Sequence, residues 1–309
     1  SGDPLFFGFA NTLQRVFPDA QTVTFPSFNS LQMLAHRLEM PYNEMSVVSL
    51  TGRPWDDFDA ALIEGRPLIG VLTDREKTPP VIAARMLEYG YDNYRMAIGE
   101  RLGNEADERV RTMQPADVVH GTFAAPNCLI LSRTAVRSRP FGVSEKAFFL
   151  LDGRVNMITK MLDLRHRSSF WDIGFCTGSV SVEAKLQFPH LRVTAFEKRP
   201  EGVGILSDNC RKFGTPGITA VTGDFMEVEL HEYPTPDAVF IGGHGGRLVD
   251  ILRKIDACLP PGCPIVFNSV SAASREMFKE GIRTIGRNVK ETVCMTVDAH
   301  SPIEIIKAE

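Results

Sequence analysis

Trp171-Asp172-Ile173-Gly174-Phe175-Cys176-Thr177-Gly178-Ser179-Val180-Ser181-Val182-Glu183 decides the fold of the second half of the chain. An apolar run closes on Asp172, two glycines follow, and a helical pattern opens near Ser179. A strand, a tight turn and a helix in direct succession are the opening of a βαβ unit. Gly174 and Gly178 let the backbone come close to a ligand, and the helix start offers N–H groups to an anion. A dinucleotide-binding fold uses a similar turn. Here, however, Cys176 takes the place of the middle glycine in G-x-G-x-x-G, leaving Gly-x-x-x-Gly.

Downstream the same alternation continues, and from about Ser144 the pattern predicts one doubly wound α/β domain. Strands are expected at 170–173, 193–196, 218–221, 238–241 and 264–267, with helices at 180–186, 201–213, 246–258 and 272–285. Two closing strands, 293–296 and 303–306, lie so close in sequence that they read as an antiparallel pair.

Chemistry collects at the ends of consecutive strands. Glu197 closes the second strand, where an acid accepts both hydroxyls of a ribose. Asp224, in Val221-Thr222-Gly223-Asp224-Phe225, follows the third and suits an adenine amino group. With Gly174, Cys176, Thr177, Gly178, Gly223 and Gly242 these acids outline a crevice for a nucleoside-bearing cofactor. The Asp two residues before the first glycine, the missing dinucleotide glycine and the terminal strand pair favour S-adenosyl-L-methionine over NAD. Asp172 acts there either on the ligand's ammonium group or by fixing the turn.

After the fourth strand comes Phe240-Ile241-Gly242-Gly243-His244-Gly245-Gly246-Arg247. Amine-methylating enzymes of this fold carry Asn/Asp-Pro-Pro-Tyr/Phe at this point, so an exocyclic amine is not the expected target. A close backbone approach to a large, flat or multiply anionic ligand is. His244 reads as a proton carrier, a carboxylate contact or a structural loop residue; Arg247 and Lys160 are the other candidates for carboxylate contact.

The first half is also α/β. Helices are expected at 9–16, 30–38 (Ser30 as N-cap) and 79–88 with Gly90 beyond its end, and strands at 22–25, 46–50, 68–72, 95–98 and 128–131. Arg133–Gly142 lacks apolar periodicity and marks the boundary, giving domains 1–138 and 139–309. At 309 residues, 43% hydrophobic and 23% charged, the chain has ample core for two domains. A net charge of −4 without a Lys/Arg tract argues against nucleic acid, and no apolar run is long enough for a membrane span. Six scattered cysteines with no C-x-x-C pair argue against a zinc site and suit a reducing cytoplasm. The opening Ser1-Gly2-Asp3-Pro4 reads as a loop between elements, which suggests that the chain starts inside a larger protein.

The Trp171–Ser181 turn beside the Gly242–Gly246 loop resembles the decarboxylating corrin-ring methyltransferases of cobalamin biosynthesis. Asn156-Met157-Ile158-Thr159-Lys160 is similar to that family's opening segment, whose Thr (Thr159) lies near the cofactor. Gly2-Asp3-Pro4-x-x-x-Gly8, Pro26-Ser27-Phe28-Asn29-Ser30, Leu72-Thr73-Asp74 and Glu100-Arg101-Leu102-Gly103 resemble the tetrapyrrole methylase superfamily. The two halves in this order resemble the bifunctional corrin enzymes that methylate carbons 5 and 15.

The resemblance implies a C-terminal Rossmann-like domain, a parallel sheet ending in an antiparallel hairpin, preceded by a partial tetrapyrrole methylase domain. It implies S-adenosyl-L-methionine as cofactor and a precorrin or cobalt-precorrin as substrate, methylated at carbon 15 with loss of CO₂ from the carbon-12 acetate. It also implies a homo-oligomer without resident metal. Gly2, Asp3, Pro4 and Thr73 would be the remnant of a first cofactor site, whose N-terminal subdomain does not precede them in this sequence. Ser27 and Cys176 replace family glycines, and ten residues between Lys160 and Trp171 stand where the family has a fuller helix. The rival readings are an RNA or protein methyltransferase, which should show a basic face, and a binding module with a dead first half.

Overall fold

The computed structural model describes residues 2–137, 154–295 and 302–309. The chain divides into two compact units, Ser1–Ser138 and Arg139–Glu309. Among the described residues no helix is long and apolar enough to cross a membrane. Ser144 and positions 138–142 of the expected boundary lie outside the described residues.

Unit 1 runs α1 (Phe9–Val16), α2 (Ser30–Arg37), β1 (Ser46–Ser49), α3 (Asp56–Glu64), β2 (Leu68–Leu72), α4 (Pro79–Glu88), β3 (Tyr94–Glu100), β4 (Arg109–Met113), α5 (Pro115–Val118) and β5 (Asn127–Arg133). Its five strands lie in the order β1-β2-β5-β3-β4, and only β1 and β2 pair in parallel. Alternate residues of β5 enter different cores, as the pleat requires. Cys128 and Ile130 pack with Leu31, Leu34 and Ala35 of α2, whereas Leu129 and Leu131 join Phe58, Ile82 and Met86 from α3 and α4.

Three expectations for this half need correction. Residues 22–25 form no strand: Val23 and Phe25 are exposed and have no ladder partner, so β-branched composition alone does not order them. The α2 N-cap is Asn29 rather than Ser30. The Asn29 side chain accepts the Gln32 N–H at 2.9 Å, while Gln32 Oε1 accepts the Asn29 N–H at 3.0 Å. The third is an omission: α3, β4 and α5 have no counterpart among the expected elements, although three acids in the first turn of α3 and Gly65 at its end are helix signals.

Unit 2 runs α6 (Arg154–Met161), β6 (Ser169–Ile173), α7 (Ser179–Gln187), β7 (Arg192–Glu197), α8 (Pro200–Phe213), β8 (Ile218–Thr222), β9 (Ala238–Ile241), α9 (Leu248–Asp256), β10 (Ile265–Ser269), α10 (Ala272–Thr284), β11 (Val289–Met295) and β12 (Ile303–Ala308). The seven strands order as β11-β12-β10-β9-β6-β7-β8. β6 to β10 are mutually parallel, and β12 and β11 close the sheet antiparallel, as expected. Helices cover both faces, so β6 and β9 are buried at every position. Strand order reverses between β6 and β9, which opens a crevice at the carboxyl edge of the sheet.

Some bounds shift. β6 starts at Ser169 instead of 170, and β11 starts at Val289 instead of 293; the expected end at 296 lies outside the described residues. α9 starts at Leu248 because Gly245 and Gly246 take φ of +53° and +84°, conformations that interrupt a right-handed helix.

Candidate functional site

A cavity of about 410 Å³ lies at this edge, lined by the ends of β6, β7, β8 and β9. Its floor is the turn after β6. Gly174 and Gly178 have φ of +71° and +75°, and Cys176, though not a glycine, has φ of +56°. The Cys176 N–H does not stay free for an anion; it donates to Glu197 Oε2 at 3.0 Å.

Gly174 is required by its neighbour across the crevice. A Cβ there would lie 2.6 Å from the Gly243 nitrogen, and one on Gly242 would lie 2.9 Å from the Gly174 oxygen. The two glycine loops therefore meet back to back, with Gly242 donating to the Ile173 carbonyl at 2.8 Å. Packing and turn geometry thus account for most of the glycines that the sequence pattern assigns to close approach to a ligand. Gly242 serves backbone packing, Gly245 and Gly246 serve the turn, and Gly243 alone has neither constraint.

Glu197, nearly buried, accepts from Cys176 N, from Arg199 N at 3.1 Å and from the Arg199 guanidinium at 3.2 and 3.4 Å. Burial would push this carboxyl up, but the Arg199 and Cys176 donors outweigh it and hold the group below the usual carboxylate range. Asp224 accepts from Met226 N at 3.0 Å and from Lys198 Nζ at 3.2 Å, and it pairs with Arg247. The Met226 N–H and then Lys198 lower its pKa. Lys254 of α9 donates to the carbonyls of Phe225, Met226 and Val228 and so fixes the segment that carries Asp224. Both acids are thus ionised and aimed into one cavity. Gly223, at φ +135° with open space at its Cβ position, leaves the gap between them clear.

Asp172 is fully buried behind the turn. Its Oδ2 accepts the Ser181 hydroxyl at 2.6 Å, tying β6 to α7, and its Oδ1 has no partner. Burial pushes its pKa up to about 7, opposed by the Ser181 donors and helped by Glu197. Thr177 Oγ1 is likewise buried without a partner, and Gly178 lies where a Cβ would strike Leu206 Cδ1 at 2.2 Å. These three residues shape the turn from behind and do not line the cavity. Thr159, buried on α6 with Oγ1 3.5 Å from Gln187 Oε1, and Lys160, exposed on the same helix, are not on its wall either.

Gly174, Cys176, Glu197, Gly223, Asp224, Gly242, His244 and Arg247 do line it. His244 Nδ1 accepts the Gly246 N–H at 3.1 Å, and burial lowers its pKa. The neutral ring therefore carries its proton on Nε2 and is a donor. Lys198 and Arg199, which the sequence reading passed over, also line the cavity. Two cations directly after a ribose-type acid were the available signal.

In unit 1, Gly2 and Thr73 line a separate cavity of about 340 Å³ with Ser30, Thr51, Asn127 and Cys128. Thr73 Oγ1 is 2.7 and 2.8 Å from the backbone and side-chain oxygens of Asn127. Asp3 instead accepts from Leu5 N at 2.9 Å, and neither it nor Pro4 lines the cavity.

A glycine turn, a ribose-type acid and an adenine-type acid at successive parallel strand ends fit S-adenosylmethionine. Fold and crevice define a Rossmann-like, S-adenosylmethionine-dependent methyltransferase. A family model described as a precorrin methyltransferase domain matches residues 154–303. A precorrin-6Y C(5,15)-methyltransferase [decarboxylating] from Sinorhizobium sp is 31% identical over 281 residues, covering 88% of this chain and 67% of its own. A cobalt-precorrin-6B C(15)-methyltransferase (decarboxylating) from Salmonella typhimurium is 38% identical over 109 residues, 35% of this chain and 55% of its own. The solved precorrin-6Y C5,15-methyltransferase of Geobacter metallireducens aligns at TM-score 0.50 and 29% identity, over 56% of this chain and 99% of that one. The chain belongs to the precorrin-6Y C(5,15)-methyltransferase family.

Proposed function

We propose that unit 2 methylates carbon 15 of a precorrin or cobalt-precorrin and removes CO₂ from its carbon-12 acetate, in the service of cobalamin biosynthesis. The observation that supports this best is the pairing of Glu197 and Asp224 in one crevice with the Gly242–Arg247 loop, which brings a His and an Arg where amine methylases carry Pro-Pro.

The cofactor supplies a methyl already activated by its sulfonium sulfur. Glu197 and Asp224 would hold its nucleoside end, and the β6 turn would bound the rest. Holding the methyl in line with carbon 15 can supply up to about 7–11 kcal/mol of barrier lowering. Transfer to carbon 15 would leave the C–S electron pair on sulfur. The electrons of the breaking C–CO₂ bond flow into the ring, and the remaining exocyclic carbon takes up a proton. His244, a neutral Nε2–H donor, and Arg247 are the side chains offered to the ring's carboxylates.

Unit 1 we assign to the tetrapyrrole methylase type, acting at carbon 5, with Gly2 and Thr73 on its cofactor wall. The reading carries a homo-oligomer in the cytoplasm with it, and no role for nucleic acid. The test is to combine the protein, S-adenosylmethionine and the hydrogenated precursor and weigh the product. One methyl gained with one CO₂ lost is expected; an unchanged mass despite cofactor binding would overturn the assignment.

A further inference from the structure

We propose that Arg199 and the cofactor ribose compete for Glu197: cofactor binding displaces the guanidinium to the mouth, where it binds a substrate carboxylate. This rests on the proposed function of unit 2. The argument is one of lone pairs. A carboxylate offers about four acceptor sites. At Glu197 all four are in use: Oε1 takes Arg199 N and Nε, and Oε2 takes Cys176 N and Arg199 Nη2. The two backbone donors belong to the folded turn and stay. A ribose that brings two hydroxyls must therefore displace the two guanidinium bonds, at 3.2 and 3.4 Å the longest of the set.

Besides Glu197 the guanidinium meets the Cys176 side chain, and both contacts end when it swings out. Its side chain is 51% exposed, whereas that of Glu197 is 8% exposed, so the acid is fixed and the arginine is the mobile partner. Once released it stands on a rim that already holds Lys198 and Arg247, both on Asp224. Two acids against three cations leave one excess positive charge at this wall, with the cations turned onto the acids. A neutral ligand that bonds to the acids leaves that sum unchanged but turns the cations outward, which suits a ring carrying many carboxylates and not a neutral one. The order of binding follows: cofactor first, substrate second. Linkage makes the coupling reciprocal, so substrate must tighten cofactor by the same factor.

Calorimetry with S-adenosylhomocysteine, which is neutral overall, tests this on the full chain, with uroporphyrin as a stable polycarboxylate ring. Removing a half-exposed ion pair is worth a few-fold, so Arg199→Met should tighten S-adenosylhomocysteine about two- to five-fold. In the unaltered protein each ligand should tighten the other by a similar factor, and in Arg199→Met that coupling should vanish. Raising salt from about 0.05 to about 0.5 M should strengthen S-adenosylhomocysteine binding by screening the competing pair. If Arg199→Met weakens S-adenosylhomocysteine, or leaves the coupling intact, Arg199 is a cofactor contact and the proposal is wrong. If the unaltered protein binds no S-adenosylhomocysteine, the reading of unit 2 itself falls.

Discussion

In unit 2 four consecutive strands release the chain at the same edge of a parallel sheet; in unit 1 β1, β2 and β3 also run one way, with β5 inserted antiparallel between β2 and β3, so their ends share an edge with the start of β5. What differs is the chemistry placed at that edge. Unit 2 gathers Gly174, Glu197, Asp224 and the Gly242–Arg247 loop into one crevice with two ionised acids. The unit 1 cavity is walled by Thr51, Thr73, Asn127 and Cys128, with no carboxylate among its lining residues. Both sheets gather strand ends at one edge, and of these two cavities only that of unit 2 takes acids from two of the ends.

The sharpest way to break that contrast is at Glu197. Two hydroxyl bonds to an ionised acid are worth roughly 3 kcal/mol or more, so Glu197→Ala should weaken S-adenosylhomocysteine by about 100-fold. Calorimetry showing unchanged affinity would mean the crevice is misassigned. Gly174→Ala comes next. A Cβ at φ +71° would meet Gly243 at 2.6 Å. Left-handed strain of about 1–2 kcal/mol plus the displaced loop should lower Tm by several degrees, and a Tm within a degree of the parent would contradict the back-to-back contact.

Asp172→Asn probes the turn from behind. Because burial raises the carboxyl from 3.8 to about 7, the unfolded chain ionises first as pH rises. The native protein therefore loses stability between those values. The stability of Asp172→Asn relative to the parent should grow from pH 4 to pH 7 and then level off; urea melts showing a flat difference would refute the raised carboxyl. The smallest effect belongs to unit 1. Thr73→Val loses its contact with Asn127, about 1 kcal/mol, and should leave S-adenosylhomocysteine affinity within two-fold.

Legibility followed the same division. The β6 turn, both acids and the terminal strand pair could be read from sequence because local pattern and chain order carry them. Residues 22–25 misled because β-branched composition says nothing about whether a ladder partner exists. The back-to-back glycines were hidden, since a contact between Gly174 and Gly243 joins loops far apart in sequence. Asp172 left two roles open, and its bond to Ser181 on the next helix shows it fastening the turn. Arg199 was visible as a cation beside an acid, but lone-pair counting needs coordinates.

The central claim is that the crevice of unit 2 is where this chain holds its cofactor. Titrating S-adenosylhomocysteine into the unaltered protein, Glu197→Ala and Thr73→Val measures it directly. One equivalent per chain, lost in Glu197→Ala and kept in Thr73→Val, is the predicted result. One equivalent lost in Thr73→Val and kept in Glu197→Ala would place the cofactor in the other unit.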